Sequence, residues 1–188
     1  MARSIRADFM QNHYFIARIR GANDRFARQN TDLQADAGFM SISLPTESTD
    51  KVEYREGTFL FTRFQPGLTT FDEVTFGRGV AILDTAFFAW MSQVSSGAGE
   101  YREDIDILHF HRERAFSNLD ASSRQTGNLS NSGGAQLTPT DASKIYTLFN
   151  AFPSNLKYAS DLDANSADIS VQELTIVYEF ADLADNPV

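Results

Sequence analysis

Apolar and polar residues alternate along several short stretches of the chain, which is the pattern of half-buried β-strands. Pro45 should end one of these strands, and the pair Pro66-Gly67 should form a tight turn after another. The stretch before that turn is apolar on both of its faces, so we expect it to be covered on both sides. The predicted strands are residues 13–19, 39–44, 58–64, 71–76, 105–111, 144–158 and 171–180.

One segment, residues 84–94, has helical rather than strand periodicity. Its apolar residues recur at spacings of three and one, which predicts an amphipathic α-helix with Asp84 as its N-cap and Gly97 as its terminator. The apolar stripe of this helix is Phe87, Trp90, Met91 and Val94.

A long polar segment separates the last two groups of strands. Residues 117–143 are mostly Ser, Asn, Gly, Thr and Asp, which is typical of a flexible inserted loop. A chain of 188 residues has the length of a single domain, with residues 1–38 as an N-terminal arm and first strand. We therefore predict a mainly β fold, an antiparallel two-sheet sandwich or partly open barrel with one α-helix and a long polar loop.

Charge and composition exclude several classes of function. The 25 Asp and Glu outnumber the 16 Lys and Arg, and a net charge of −9 disfavours a dedicated nucleic-acid binder. The chain has no cysteine, which excludes disulfides, thiol nucleophiles and thiolate zinc sites. It also lacks an apolar run of membrane-spanning length and a signal peptide, so we expect no membrane partner. The 16 Phe need burial in a core or against partners.

The most plausible catalytic group is the pair His109 and His111, which would share one face of a strand. Two imidazoles so placed could ligate a metal, as in a small β-barrel metalloenzyme, and this is one alternative for the function. The commoner role of such histidines is a half-exposed strand end that faces water or a neighbour. We predict no catalytic, cofactor-binding or metal-binding residues, no cofactor and no enzymatic activity.

An ordered set of short motifs resembles the tail-tube proteins of contractile-tailed bacteriophages and of related contractile injection systems. The set covers roughly residues 50–182 apart from the inserted loop, and its order is more specific than any single member. The motifs are Tyr54-Arg55-Glu56-Gly57, Pro66-Gly67-Leu68, Val74-Thr75-Phe76-Gly77-Arg78-Gly79, a helix with Phe88 and Trp90, Asn150-Ala151-Phe152-Pro153, and Val171-Gln172-Glu173-Leu174.

The resemblance implies a structural virion protein that assembles with itself. Six copies would form a ring, their inner strands would join into one continuous β-barrel, and stacked rings would form the inner tail tube. DNA would pass through this channel into the host cell without specific binding. The tail sheath and the baseplate would be further partners, and the tail would be assembled in the host cytoplasm.

The resemblance also implies positions for individual residues. The residues expected where neighbouring copies meet are Tyr54, Arg55, Glu56, Gly57, Pro66 and Gly67. An acidic lumen would repel DNA phosphates, and Glu173 and Glu179 are candidates to face it because they share one face of the predicted last strand. Two alternatives remain open besides the metalloenzyme: a tube subunit of a bacterial contractile injection or secretion system, and a monomeric binding module.

Overall fold

The computed structural model describes residues 10–20, 39–58, 60–80, 85–97, 99–111, 142–165 and 167–185. Within these ranges the chain forms nine β-strands and one α-helix, which confirms the predicted mainly β fold. The elements are β1 (Phe15–Ile19), β2 (Ser41–Ile42), β3 (Glu47–Tyr54), β4 (Arg63–Phe71), β5 (Val74–Gly79), α1 (Ala86–Ser96), β6 (Glu103–His109), β7 (Lys144–Lys157), β8 (Val171–Val177) and β9 (Phe180–Asp185).

Seven of the strands form one antiparallel sheet: six follow the order β1-β6-β7-β8-β5-β2, and β9 pairs with β7 beside this path. The 14-residue strand β7 joins its two halves: its first part pairs with β6 and β9, and its second part pairs with β8. In the described residues this sheet does not close into a barrel, since its path ends at β1 and β2. Strands β3 and β4 form a separate two-stranded sheet.

The change of partners along β7 occurs at Asn150. This residue has a φ of 53°, a left-handed conformation that asparagine tolerates better than most residues. Its backbone N–H donates to the Asp104 carboxylate at 3.0 Å, and its side-chain amide donates to Glu179 at 2.9 Å. Arg102 forms an ion pair with the same Glu179. These contacts hold the bend that separates the two halves of the sheet.

The core lies between the two halves of the sheet and α1. Phe87 and Trp90 of the predicted helical stripe are buried in it, and the indole N–H of Trp90 donates to the Tyr101 carbonyl at 2.8 Å. Gly97 ends the helix with a φ of 64°, as predicted, and Thr85 occupies the N-cap position. The expected N-cap Asp84 lies outside the described residues. The strand residues of this core are Ala17, Ile19, Val74, Phe76, Ile105, Ile107, Leu148, Ala151, Leu174 and Ile176.

One arginine is fully buried in the same core. The Arg78 guanidinium lies over the Phe87 ring, 3.7 Å from its centroid, where the electron-rich face of the ring attracts the charge. Gln172 is opposite Arg78 in the β5–β8 register, and its side-chain oxygen, with the amide oriented toward the guanidinium, accepts from Arg78 Nε at 2.6 Å. Arg78 therefore has an internal role in packing α1 against the sheet.

Several predicted strands have different limits in the structure. The predicted strand 171–180 is divided into β8 and β9 by a bend at Tyr178 and Glu179. The prediction of a turn at Pro66-Gly67 is wrong, because both residues lie inside β4. The expectation that residues 58–64 are covered on both sides is also wrong within the subunit, because Leu60 and Phe61 are exposed. The predicted loop falls almost entirely outside the described residues, as does most of the predicted arm.

Candidate self-assembly surface

The β3–β4 hairpin is the most unusual surface of the described chain. Every residue of β3 is exposed, and so is every residue of β4 except Phe71. A two-stranded sheet without a core is marginally stable in water at best. The hairpin therefore needs cover that the described part of the subunit does not supply.

Among the described residues, the hairpin contacts the body of the protein near its base. Phe71 packs against Tyr178 and Phe180, with ring centroids 5.7 and 6.2 Å away. The Asp72 N–H donates to the Thr46 carbonyl at 3.0 Å across the base. Burial at this contact raises the pKa of the Tyr178 hydroxyl. Beyond the base, the two strands extend away from these contacts.

A bulge in the middle of the hairpin explains the sequence Pro66-Gly67. The strand register shifts between Thr49 and Lys51, and Pro66 lies opposite Lys51. Proline is tolerated here because both strands of a two-stranded sheet are edge strands. A Cβ on Gly67 would lie 3.0 Å from the Asp50 carbonyl oxygen, so glycine permits the close approach of the two backbones.

The outer part of the hairpin carries apolar side chains on both faces. Phe64, which shares a face with Glu53, is 60% exposed, and the Lys51 ammonium lies 5.2 Å from the centroid of its ring. Val52 and Tyr54 are exposed on the opposite face. Exposed apolar residues grouped in this way are typical of surfaces that bind another protein, a membrane or a ligand.

The structure brings the six predicted contact residues onto this hairpin. Tyr54 ends β3, and Arg55, Glu56 and Gly57 follow it into the connection between the strands. Pro66 and Gly67 lie midway along β4. Their role between copies stays a prediction. Sequence reasoning missed Leu60, Phe61 and Phe64 as surface residues, although their two-sided apolar pattern was the available signal.

The two candidate lumen residues lie in different environments. Glu173 is exposed on β8, opposite Gly77 and Lys157 in the register, on the face away from the core. Glu179 lies in the bend after β8, where the hydrogen bond from Asn150 and the charge of Arg102 lower its pKa. A role in a lumen is untested for both residues.

The histidine pair does not form a metal centre with other described residues. His109 ends β6, and its Nε2 lies 3.0 Å from the Gln11 carbonyl oxygen. His111 lies beyond the strand, and its backbone N–H donates to Ser143. Across the described ranges, no group of three or more His, Asp or Glu side chains is placed to hold a metal ion.

A family model described as T4-like virus tail tube protein gp19 matches residues 11–181. The match includes the whole hairpin, the helix and strands β1 to β8, and it ends at the second residue of β9. The chain belongs to this family of tail tube proteins.

Solved structures with the same fold come from contractile injection systems. A chain of the extended sheath-tube complex of the extracellular contractile injection system PVC is 22% identical, with a TM-score of 0.66 over 96% of this chain and 94% of the other. A chain of the anti-feeding prophage baseplate is 15% identical, with a TM-score of 0.67 over 97% and 99%. No curated protein matches the chain.

The position of Arg78 and the length of the helix concern the fold of this tail tube protein. Arg78 belongs to the motif that carried the resemblance, and the structure places it in the core, so its contribution is to the subunit's fold. Within the residues that the structure describes, no helix is long and apolar enough to cross a membrane.

Proposed function

We propose that this chain is the repeating subunit of the inner tube of a bacteriophage contractile tail, a structural virion protein without enzymatic activity. Six copies form a ring, rings stack into a tube, and the tube conducts DNA into the host cell. The observation that carries the proposal is the β3–β4 hairpin, whose apolar residues are uncovered in the described subunit. Burial against further copies gives these residues the cover that they need.

Ring formation also accounts for the open sheet. The path of the seven-stranded sheet ends at β1 and β2, and unpaired strand edges readily pair with other chains. Pairing of edges around a ring removes this liability and joins the sheets of neighbouring copies. Residues Tyr54 to Gly57 and the Pro66-Gly67 bulge contact neighbouring copies in this arrangement.

The face of β8 that carries Glu173 suits the lumen of such a tube. Its neighbours Thr75 and Thr175 are small and hydroxylated, and their oxygens lie 3.5 Å apart across the β5–β8 pair. Gly77, opposite Glu173, has no side chain that would project from this face. Lys157, also opposite Glu173, offsets part of its charge, so the repulsion of phosphate that lets DNA slide rests on the net charge of −9 per chain. Glu179 is the weaker candidate because Arg102 neutralises it.

A second candidate cargo is protein rather than DNA. The structural neighbours described above come from contractile injection systems, and a tube of the same fold in such a system would deliver effector proteins. The tail sheath and the baseplate are the expected partners in either case. Nuclease-protected DNA inside purified, assembled particles would support the bacteriophage tail, and protein cargo without DNA would support the injection system.

Assembly itself is tested by negative-stain electron microscopy of the purified chain at increasing concentration. We expect hollow six-fold rings or tubes. A monodisperse monomer at every concentration, also in the presence of baseplate proteins as nuclei, would refute the proposal and favour a monomeric binding module.

The lumen assignment is tested by cysteine labelling, for which the cysteine-free chain is a clean background. Glu173→Cys should react with a small maleimide both in subunits and in assembled tubes. A large poly(ethylene glycol) maleimide should label it only in the disassembled subunit, because the reagent cannot enter a narrow channel. Equal labelling of tubes by both reagents would place Glu173 on the outside.

A further inference from the structure

An open groove lies at the base of the β3–β4 hairpin, between the hairpin and β9. Its volume is about 330 Å³, and its lining includes Pro45, Phe71, Tyr146, Ala181 and Leu183. A cavity of about 150 Å³ already accepts a benzene ring, so this basal groove has room for an apolar side chain. Two acidic residues, Glu47 and Asp182, are part of the same lining.

The opposite end of the hairpin has the complementary properties. The hairpin tip, residues 55–58 and 60–62, presents Leu60 and Phe61, which are 88% and 75% exposed. Arg55 and Arg63 lie on either side of these residues in sequence and are exposed. The tip therefore combines two apolar side chains with Glu56 and two flanking arginines, a net positive charge, whereas the basal groove combines apolar side chains with two acidic ones.

The tip cannot reach the basal groove of its own subunit. Glu47, at the base, and Tyr54, near the tip, are separated by seven residue steps of the paired strand β3. At roughly 3.3 Å per residue this is about 23 Å, and the antiparallel ladder holds the two ends apart. The groove can receive a tip only from another copy.

We propose that the hairpin tip of one copy inserts Leu60 and Phe61 into the basal groove of a second copy. This contact rests on the proposed tube assembly and names the two surfaces that meet in it. Because the two surfaces are different, the contact is head-to-tail, and each copy can bind one neighbour at its tip and another at its groove. Such a contact repeats without closing on a pair, as a growing tube requires.

Cysteine cross-linking tests the contact in the full-length, cysteine-free chain. We would combine Leu60→Cys with Leu183→Cys, assemble the protein, and oxidise it with copper phenanthroline. The expected product is a ladder of dimers, trimers and larger species on a non-reducing gel. Leu60→Cys alone should give dimers at most. The matched control, Leu60→Cys with Glu173→Cys, places the second cysteine on a different face and should give no ladder.

The outcomes separate this contact from the proposed function. A ladder specific to the Leu60 and Leu183 pair supports the contact. Tubes in the micrographs with no ladder, or with an equal ladder in the control, would overturn it while the tube function stands. Failure of the wild-type chain to form rings or tubes, with no ladder, would overturn both. Melting temperatures of the disassembled variants close to wild type would show that the exposed replacements leave the fold intact.

Discussion

Phe64→Ser should weaken assembly strongly while leaving the subunit folded. Phe64 is 60% exposed, so most of its ring has no cover within the subunit. Full burial of a phenylalanine side chain contributes about 3 kcal/mol. Burial of the exposed part of Phe64 should therefore stabilise an assembly by about 2 kcal/mol. Since about 1.4 kcal/mol corresponds to a tenfold change, the critical concentration for tube formation should rise about 30-fold.

The substitution should lower the free energy of unfolding of the disassembled subunit only slightly. The Lys51 ammonium, 5.2 Å from the centroid of the Phe64 ring, contributes about 0.5–1 kcal/mol at an exposed site. Sedimentation of assembled material over a concentration series would give the critical concentration, and urea unfolding of the disassembled subunit would give its stability. The two measurements together distinguish a lost contact between copies from a damaged fold.

A phenylalanine of similar exposure provides the control. Phe88 is 54% exposed on α1, outside the proposed contacts. Phe88→Ser should change the critical concentration by about twofold or less, the usual range for surface substitutions. Equal effects of the two variants would refute a special role for the hairpin. A large loss of subunit stability in Phe64→Ser would refute the view that Phe64 is uncovered.

Three further predictions concern the subunit. Trp90→Phe removes the hydrogen bond to the Tyr101 carbonyl, so urea unfolding should show a loss of about 1–3 kcal/mol. Gly77→Ala places a Cβ 2.6 Å from the exposed Ser41 hydroxyl, which can rotate away, so hydrogen exchange in β2 and β8 should change little. The folded-state pKa of Glu179 is lowered, so its contribution to the free energy of unfolding is present above the ordinary pKa of 4.5 and is lost as the pH falls through the folded-state pKa. The difference in stability between wild type and Glu179→Gln should therefore shrink in that pH range. A difference that does not change with pH would contradict this.

The site was only partly predictable from the sequence. The Tyr54 and Pro66 motifs lie on the hairpin that the structure leaves exposed, but the two-sided apolar stretch that includes Leu60 and Phe61 predicts a covered strand. Periodicity in the sequence shows how many faces of a segment are apolar. It does not report whether the cover comes from the same chain or from another copy, so core strands and assembly surfaces have the same pattern.

The sequence by itself determined the local elements of this protein. Alternation located most strands, the three-to-four spacing located α1, and Gly97 marked its end, because these signals depend on residues close together in the chain. The order of short motifs also sufficed to indicate the tail tube family, which the match over residues 11–181 confirmed.

Only the tertiary structure decided where the chain bends, what it buries and what it leaves open. The division of β8 from β9 depends on Asn150 of β7 and on Arg102, just before β6, which both reach Glu179. The burial of Arg78 depends on Phe87 and Gln172 in the same way. Pro66 could lie within a strand because β4 pairs on one side only. Each outcome depends on partners distant in sequence, whose positions local periodicity does not encode.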